Sequence, residues 1–531
     1  MSIYLPSFIK TLSDSIKKNH FYLIVSFFVM ALYVVINGYD YNTGDQAEHL
    51  PQVYQMFDSS LYPSDFFLTN YHNTYTVRYF WVQLVYFLSH IFSIRLTCLI
   101  LYFICIYFTI LAWTKIIELF GLIEGNKGKS QTYVFLSLLL IFIFANPFTL
   151  GGNYLLGKIF IGSTVAELFA SWGIYLFFRD KAISSAMFLA LSVWFQALVG
   201  LQLFLIFAGI LFFTSNIKYS LKSIVFLIAF SLVFILFSLP MLAPLLYAQN
   251  QNNVGLENEL FYNLLYFKRA PWHYVPATFP KWDYFTFVGL LIVSVLTLFI
   301  SKSSKIKKQL LWMFTIILSV CAFYFVAFET NHFMWIGKLQ WFKTTIWVNA
   351  FACIVIANIA SNYLPNFDFK LINKLLIPSS IGLFAFMFYS NAFSHSTKYA
   401  FLNNSPKTDL QKLHCFIKEN TPKESRFLIP IDNESFTSEA QRSTVASFKA
   451  VVHEPYFFMK WQKVLEQYYL VDFKSNTSPK MQAIQNYCNN YDTLQFLYYD
   501  YRIDNIKESK IIPQINNRIK TIGDWTLSKV K

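Results

Sequence analysis

The chain has 531 residues, of which 55% are hydrophobic, 20% are aromatic and only 14% are charged, and its mean hydropathy is +0.42. This composition excludes a soluble globular protein and predicts a polytopic membrane protein. The formal net charge of +14 favours basic residues that flank membrane spans on the cytoplasmic side over nucleic-acid binding. The sequence has no P-loop, dinucleotide-binding fingerprint, HExxH motif or nucleophile elbow, which argues against ATPase and hydrolase chemistry.

Apolar segments predict about eleven membrane crossings, judged by length, apolarity and flanking charge. The predicted spans are 20–37, 96–117, 132–147, 161–178, 183–197, 199–214, 222–246, 283–301, 309–328, 343–361 and 375–393. Basic residues before the first span place the N-terminus in the cytoplasm, and an odd number of crossings places the C-terminus outside. We expect a multi-pass plasma (inner) membrane protein with a transmembrane domain over 1–395 and an extracytoplasmic domain over 405–531.

Segment 79–92 decides this topology. It contains Gln83 and His90, and its roughly 14 residues fall short of the ~20 that a crossing requires. A crossing here would place the basic segments 127–129, 179–181 and 218–222 outside, against the charge rule. We therefore predict an amphipathic helix in the outer interface.

The first outer loop, 38–92, begins with the most acidic stretch of the first half of the chain. It carries Asp40, Asp45, Glu48, Asp58 and Asp65, with no Lys or Arg before Arg78. Carboxylates beside a membrane surface are repelled by anionic lipid. We interpret this loop as a functional loop that binds a ligand.

The tail after residue 405 has more charge and lacks long apolar runs. Its pattern predicts helices over 408–420 and near 458–469 and 479–491. Short strands are predicted over 426–431, 444–452, 495–499 and 525–530. A small α/β domain is expected, and an exported location would permit a disulfide between Cys415 and Cys488.

Four motifs in the membrane domain and one in the tail carry a family resemblance. They are GDQAEHLP at 44–51, STVAELFA at 163–170, WFQALVGL at 194–201, KLQWFKTTIW at 338–347 and EAQRSTVASFKAV at 439–451. Together with the order of loop, interfacial helix, spans and exported tail, they resemble the C-type glycosyltransferase superfamily (GT-C). The tail motif resembles a poorly characterised bacterial multi-pass branch of it. Asp45-Gln46 stands where members often have paired acids, Gln196 where they often have His, and Lys338 and Lys343 where Arg is usual.

The resemblance implies an inverting transferase that takes a sugar from a polyprenyl-phosphate donor. The acceptor would be a glycan, lipid or protein of the cell envelope, and no nucleic acid is involved. Such a reaction needs a carboxylate to take the acceptor's proton and basic groups to hold the leaving phosphate. Asp45 is the first candidate for the base, and Glu48 follows one helical turn later.

Two loop residues have alternative interpretations. Asp45 could instead be the N-cap of a helix that starts near Gln46. His49 could bind a divalent cation, Mg²⁺ or Mn²⁺, beside Asp45, although a lone His in an aromatic loop favours packing. Asp40 is interpreted as a turn residue close enough to contribute.

Basic residues in the outer segments are candidate ligands for the donor phosphate. They are Arg78, Lys158, Lys268, Arg269, His273, Lys338 and Lys343. Interfacial lysines in an aromatic belt, and snorkelling of Arg78, are the alternatives. Glu167 lies just inside a predicted span, where an ionisable group usually faces a cavity or a partner, and Lys158 could be that partner. Arg442 could reach the site or form only a local salt bridge in the tail, and the local salt bridge is favoured.

Two other functions remain open from the sequence. A transporter would show two related halves with ionisable residues at mid-membrane, whereas a non-catalytic envelope assembly protein would keep the topology without needing Asp45. Convergence of the acidic loop and the basic residues on one outer cavity would favour sugar transfer.

Overall fold

A computed structural model of the chain describes most of the membrane-embedded part and much of the tail. The described residues are 5–71, 75–123, 130–142, 146–214, 221–251, 258–300, 304–363, 369–393, 401, 405–406, 408–431, 433–468, 495–500, 517–523 and 525–530. The helix predicted near 479–491 and Cys488 lie outside these residues.

All eleven predicted spans coincide with helices. They are α1 (Leu5–Asn37), α5 (Ile94–Ile123), α6 (Ser130–Leu140), α7 (Gly162–Phe178), α8 (Ala182–Phe195), α9 (Ala197–Thr214), α10 (Leu221–Gln251), α13 (Lys281–Ile300), α14 (Lys305–Phe325), α15 (Thr345–Tyr363) and α16 (Phe369–Phe393). Within the described residues, seven helical segments are long and apolar enough to cross a membrane. The expected helical membrane architecture is therefore confirmed, and α6, α7, α8 and the apolar part of α16 are shorter than that limit.

Three short helices form the first outer loop between α1 and α5. They are α2 (Gly44–Phe57), α3 (Phe66–Tyr71) and α4 (Tyr79–Leu88). The ten residues of α4 extend about 15 Å, half the thickness of the hydrocarbon core. Helix α4 buries Trp81, Val82 and Val85 and exposes Phe87. The prediction of a short helix in segment 79–92 is confirmed.

The loop between α10 and α13 also folds into short elements. It contains α11 (Asn258–Tyr262), a π-helical turn over Asn263–Arg269, α12 (Pro271–Tyr274) and a 3₁₀ turn over Pro276–Thr278. Between α14 and α15 the chain forms a π-turn and two 3₁₀ turns, the second of which is Trp341–Thr344. These irregular turns hold most of the predicted basic residues at the same end of the helices as the first loop.

The tail is a small α/β unit, as predicted. Its helices are α17 (Asp409–Asn420), α18 (Phe436–Ala440) and α19 (Pro455–Tyr468), and its strands are β1 (Arg426–Leu428), β2 (Ser443–Thr444), β3 (Gln495–Asp500), β4 (Asn517–Ile522) and β5 (Trp525–Val530). The strand order is β2-β1-β3-β5-β4, with β2, β1 and β3 parallel and β5 antiparallel to both of its neighbours. The strand predicted over 444–452 is wrong beyond Thr444, because the chain leaves the sheet there and turns towards the helices.

The tail packs directly on the first outer loop. Tyr62 Oη donates to the Thr437 carbonyl at 3.0 Å, and Lys423 Nζ lies 2.6 Å from Asp58 Oδ2. Val451 and Trp461 of the tail are fully buried in the same apolar core as the membrane helices, whereas a second core lies within the tail between α17 and the sheet. The opposite end of the helix bundle carries Asp180, which pairs with Lys305.

Asp65 joins the two parts, and its removal should destabilise their junction. Its buried carboxylate accepts backbone N–H groups from Phe67 and Leu68 at 3.0 Å and from Thr444 at 2.8 Å. Asp65→Ala leaves these buried donors unpaired, so we expect the free energy of unfolding to fall by about 3 kcal/mol. Thermal unfolding of the reconstituted protein measures this loss. Asp58→Ala is the control, since the Asp58 pair is exposed, and equal melting temperatures for the two variants would contradict the junction role.

Candidate functional site

Asp45 lies at the start of α2 and faces the tail. Helix α2 begins at Gly44, after Thr43 in an extended conformation, so Asp45 is in the first helical turn and the N-cap interpretation is wrong. Its carboxylate Oδ1 lies 2.6 Å from Lys449 Nζ, and 49% of the Asp45 side chain is exposed. Protein atoms around the carboxylate raise its pKa, but the Lys449 ammonium outweighs them and holds the pKa of Asp45 well below its usual range. Asp45 is therefore an ionised and accessible carboxylate.

Glu48, one turn along α2, has a different environment. Its carboxylate is buried and forms an ion pair with Arg78, which precedes α4. Burial raises the pKa of Glu48 to about 7, and the Arg78 guanidinium opposes that rise. His49 is also buried and packs on Trp81, with ring centroids 5.0 Å apart. Glu48 and His49 therefore lie beneath Asp45, inside the protein.

Lys449 belongs to a tight turn that we name the Lys449 turn, residues 447–451. Ser447 Oγ accepts the Lys449 backbone N–H at 3.2 Å, and Trp461 Nε1 of α19 donates to the Ser447 carbonyl at 2.9 Å. The Phe448 N–H donates to the Ile431 carbonyl at 2.9 Å. The turn is thus closed by one internal hydrogen bond and tied to the rest of the tail by two others.

Two arginines of the membrane domain hold the other side of the Lys449 turn. Arg269 Nη2 donates to the Lys449 carbonyl at 2.8 Å and Arg269 Nε to the Phe448 carbonyl at 3.2 Å. Arg78 Nη2 donates to the Val451 carbonyl at 3.2 Å while it pairs with Glu48. Both guanidinium groups therefore position the turn, and their predicted role as phosphate ligands stays a prediction.

Lys343 and His273 approach Asp45 from a third side, around a glycine turn. Gly151 and Gly152 have φ values of +77° and +65°, and the Lys343 backbone packs against Gly151. His273 Nδ1 lies 2.8 Å from the Gly151 carbonyl. Because a carbonyl only accepts, Nδ1 carries the proton and Nε2 of the neutral ring is an acceptor. This arrangement does not suit His273 as a phosphate ligand, whereas Lys343 is half-buried and interacts electrostatically with Asp45.

The charges around Asp45 favour an anion. Burial lowers the pKa of both His49 and His273 to about 3, with Arg78 and Lys343 adding to the effect, so both rings are neutral at pH 7. Four cations, Arg78, Arg269, Lys343 and Lys449, then face the carboxyl groups of Asp45 and Glu48, which gives these six side chains a net positive charge. A phosphate dianion would balance this charge.

Gly152 should not tolerate a side chain. A Cβ there would lie 3.1 Å from the His273 ring, and the positive φ strains any L-residue. We expect Gly152→Ala to lower the free energy of unfolding by about 1–3 kcal/mol and to weaken whatever activity depends on His273 and Lys343. Thermal unfolding and the transfer assay described below test this, with Gly382→Ala as control, because no atom lies within 4 Å of a Cβ at that helical position. Equal behaviour of the two variants would contradict the expectation.

Other predicted site residues have partners of their own. Lys158 Nζ lies 2.5 Å from Asp40 Oδ2. Lys158 therefore pairs with Asp40, and the predicted pairing with Glu167 is wrong. The buried Glu167 instead accepts a hydrogen bond of 3.5 Å from Asn153, next to the glycine turn.

The remaining predicted residues lie at helix ends and on the outer surface. Gln196 ends α8, where its backbone N–H donates to the Ser192 carbonyl. Lys268 and Lys338 are exposed, and Lys338 Nζ lies 5.6 Å from the Tyr262 ring centroid. Arg442 makes local contacts in the tail, but with neutral oxygens rather than with an acid: its Nη2 donates to the Lys418 carbonyl at 2.7 Å and its Nε donates to Thr421 Oγ1 at 3.0 Å.

Sequence reasoning missed Lys449 as a site residue. Its motif at 439–451 was recognised, but the segment was interpreted as a strand. A signal was present, since Lys449 is a basic residue in a segment that the sequence predicts to be outside, as are Lys268 and Arg269, which are candidates on that ground. His453, whose ring interacts electrostatically with Arg269, Arg78 and Asp45, was missed as well.

A divalent cation does not fit the residues at this site. Lys449 forms an ion pair with Asp45, Arg78 forms an ion pair with Glu48, and His49 packs against Trp81. Across the described part of the chain, no group of three His, Cys, Asp or Glu residues is arranged to hold a metal ion. Mg²⁺ and Mn²⁺ prefer several oxygen ligands, whereas Asp45 Oδ1 and the Glu48 carboxylate are already paired with cationic side chains.

The comparisons with known proteins concern the tail and the overall chain. Residues 408–467 match a domain of unknown function (DUF6798), so this match includes Lys449. No curated protein sequence matches the chain. Two crystal structures of the Archaeoglobus fulgidus oligosaccharyltransferase are similar to it, each at 12% identity and a TM-score of 0.43.

One of these structures is a complex with Zn and sulfate, and the match covers 81% of this chain and 63% of that chain. The other is tethered with an acceptor peptide containing the NVT sequon via a disulfide bond, with 91% and 69% covered. In the first of these two structures, the match therefore spans less than two thirds of the oligosaccharyltransferase chain.

Proposed function

We propose that the protein is a membrane glycosyltransferase that moves a sugar from a polyprenyl-phosphate donor to a cell-envelope acceptor at the outer face of the membrane. The observation that carries this proposal is the convergence of the accessible Asp45 carboxylate with Lys343 and Lys449 at one end of the helix bundle. These residues come from three separate segments of the chain. The motifs that resemble GT-C proteins contribute Asp45, Lys343 and Lys449 themselves.

The reaction follows from the roles that these groups can fill. An acceptor hydroxyl attacks the anomeric carbon of the donor, and its proton passes to Asp45 as the new glycosidic bond forms. The bond between the anomeric carbon and the phosphate oxygen breaks, and the polyprenyl phosphate leaves with the electron pair. Lys343 is the cation we assign to this phosphate, since Lys449 is engaged by Asp45. A basic group placed at the departing phosphate stabilises the charge that develops there.

A single displacement with inversion fits the two carboxylates. A double displacement needs a second carboxylate that reaches the sugar as a nucleophile. Glu48 is only 4% exposed and is paired with Arg78, so Asp45 is the one carboxylate of α2 that a sugar can contact.

The position of the charged groups argues against the transport alternative. A transporter places ionisable residues at mid-membrane, whereas Asp45, Lys343 and Lys449 lie where the helices end and the outer loops meet the tail. Non-catalytic assembly is the alternative that an activity assay separates from transfer.

The test is sugar transfer by the purified full-length protein in nanodiscs. A pool of radiolabelled polyprenyl-phosphate sugars is the donor, and a cell-envelope extract is the acceptor. We expect label in the acceptor fraction with the wild type and with Asp58→Asn, whose exposed carboxylate pairs with Lys423 away from the site, and none with heat-treated protein. No transfer from any donor of the pool would overturn the proposal.

A further inference from the structure

The Lys449 ammonium is in direct contact with Asp45. Its Nζ is 2.6 Å from Asp45 Oδ1, so a divalent cation at this oxygen would be repelled by the ammonium. The sequence predicts Asp45 and His49 as possible ligands of one divalent cation. In the structure, His49 is instead buried against Trp81, and Asp45 forms an ion pair with Lys449.

The position of this ammonium is set by the backbone that carries it. The Lys449 N–H is bonded to Ser447 Oγ, and the Lys449 carbonyl is bonded to Arg269. Trp461 and Arg78 fix the two ends of the turn through Ser447 and Val451. A cation held in this way is already in place and needs no reorganisation to orient Asp45.

We propose that Lys449, supplied by the tail, is a built-in cation that takes the place of a divalent metal at Asp45, so that the protein works without Mg²⁺ or Mn²⁺. The first half of this proposal is a statement about cation binding, and the second half rests on the proposed function. Lys449 orients Asp45 and keeps it ionised, and it is therefore a positioning residue.

The first experiment measures Mn²⁺ binding by electron paramagnetic resonance. Full-length wild type and Asp45→Asn are compared in nanodiscs of zwitterionic lipid, which avoids metal binding to anionic headgroups. We expect the two proteins to bind Mn²⁺ equally, because the ion pair with Lys449 already neutralises the Asp45 carboxylate and leaves it no ligand for Mn²⁺. Binding of about one Mn²⁺ per chain by the wild type that disappears in Asp45→Asn would overturn the proposal.

A charge-reversing substitution supplies the positive result. Lys449→Glu places a second carboxylate opposite Asp45, and two carboxylates at one position attract a divalent cation. We expect this variant to gain Mn²⁺ binding that is lost again when Asp45→Asn is added. Lys449→Gln removes the positive charge without adding a carboxylate, so this variant should show no gain in Mn²⁺ binding. If a folded Lys449→Glu, checked by thermal unfolding, bound no more Mn²⁺ than Lys449→Gln, the ammonium would not occupy a cation position and the proposal would fail.

Transfer activity gives the last readout. We expect the wild-type rate to be unchanged by EDTA and by added Mg²⁺ or Mn²⁺, whereas a loss with EDTA that Mn²⁺ restores would overturn the proposal. If the protein transferred no sugar at all, the proposed function would fail, and the Mn²⁺ measurements would still decide which cation serves Asp45.

Discussion

Replacing Asp45 with Asn is expected to lower kcat/KM for sugar transfer by about 10²–10⁴-fold, the range that a positioned general base contributes. The amide has the shape of the carboxylate and can still accept a hydrogen bond from Lys449, but it cannot take a proton from the acceptor. The measurement is transfer from the labelled donor at subsaturating acceptor concentration. Donor binding should change little, because the phosphate is assigned to Lys343.

Asp58→Asn is the matched control for this substitution. Both acids lie in the first loop and both pair with a lysine of the tail at 2.6 Å, yet only Asp45 adjoins Lys343. Asp58→Asn should keep the wild-type rate. If Asp45→Asn were equally active, Asp45 would not be the base, and Glu48 and Asp40 would be the next candidates.

Replacing Lys449 with Met should lower transfer by about 10²–10³-fold, the range for removal of one preorganised polar group from an active site, because Asp45 loses the contact that orients it. Met keeps the length and apolar stem of the side chain and removes only the charge. Lys423→Met, which breaks the exposed pair with Asp58, is the matched control and should be near wild type. Equal activity of the two variants would show that Lys449 is structural.

The pH profile separates a positioning role from a purely structural one. Lys449 holds the pKa of Asp45 below its usual range against the opposing effect of burial. The base is therefore ionised throughout the neutral range, and the acid limb of wild-type activity should appear only when the pH drops through this lowered pKa. Without Lys449 the burial effect remains and the pKa rises, so the acid limb of kcat/KM should move to higher pH. An unshifted limb would contradict electrostatic control by Lys449.

The dependence on a tail residue links the matched domain to the membrane site. Lys449 lies within the segment that matches the domain of unknown function, and the turn that carries it is held by Arg78 and Arg269 of the membrane part. The tail is therefore a component of the site. Its buried residues Val451 and Trp461 continue the apolar core of the helices, so tail and membrane domain should unfold together.

The sequence by itself determined the membrane class, the positions of the eleven helices and the short helix over 79–88. Each of these features depends on local properties of the sequence, namely the apolar content of about 20 consecutive residues and the charged residues that flank them. The same reasoning found the acidic loop and the basic outer segments. It also found α17, because the helical spacing of its apolar residues and the proline after its end are local signals.

Only the tertiary structure decided which of these residues meet. Asp45 and Lys449 are far apart in sequence, and no periodicity reports a contact between an outer loop and a tail. The strand predicted over 444–452 ends at Thr444, and the carbonyls of Phe448, Lys449 and Val451 accept hydrogen bonds from Arg269 and Arg78. Likewise Lys158 pairs with Asp40 because residues 40 and 159 form a β-bridge. These outcomes depend on competition among long-range partners for the same polar groups, which a local pattern cannot resolve.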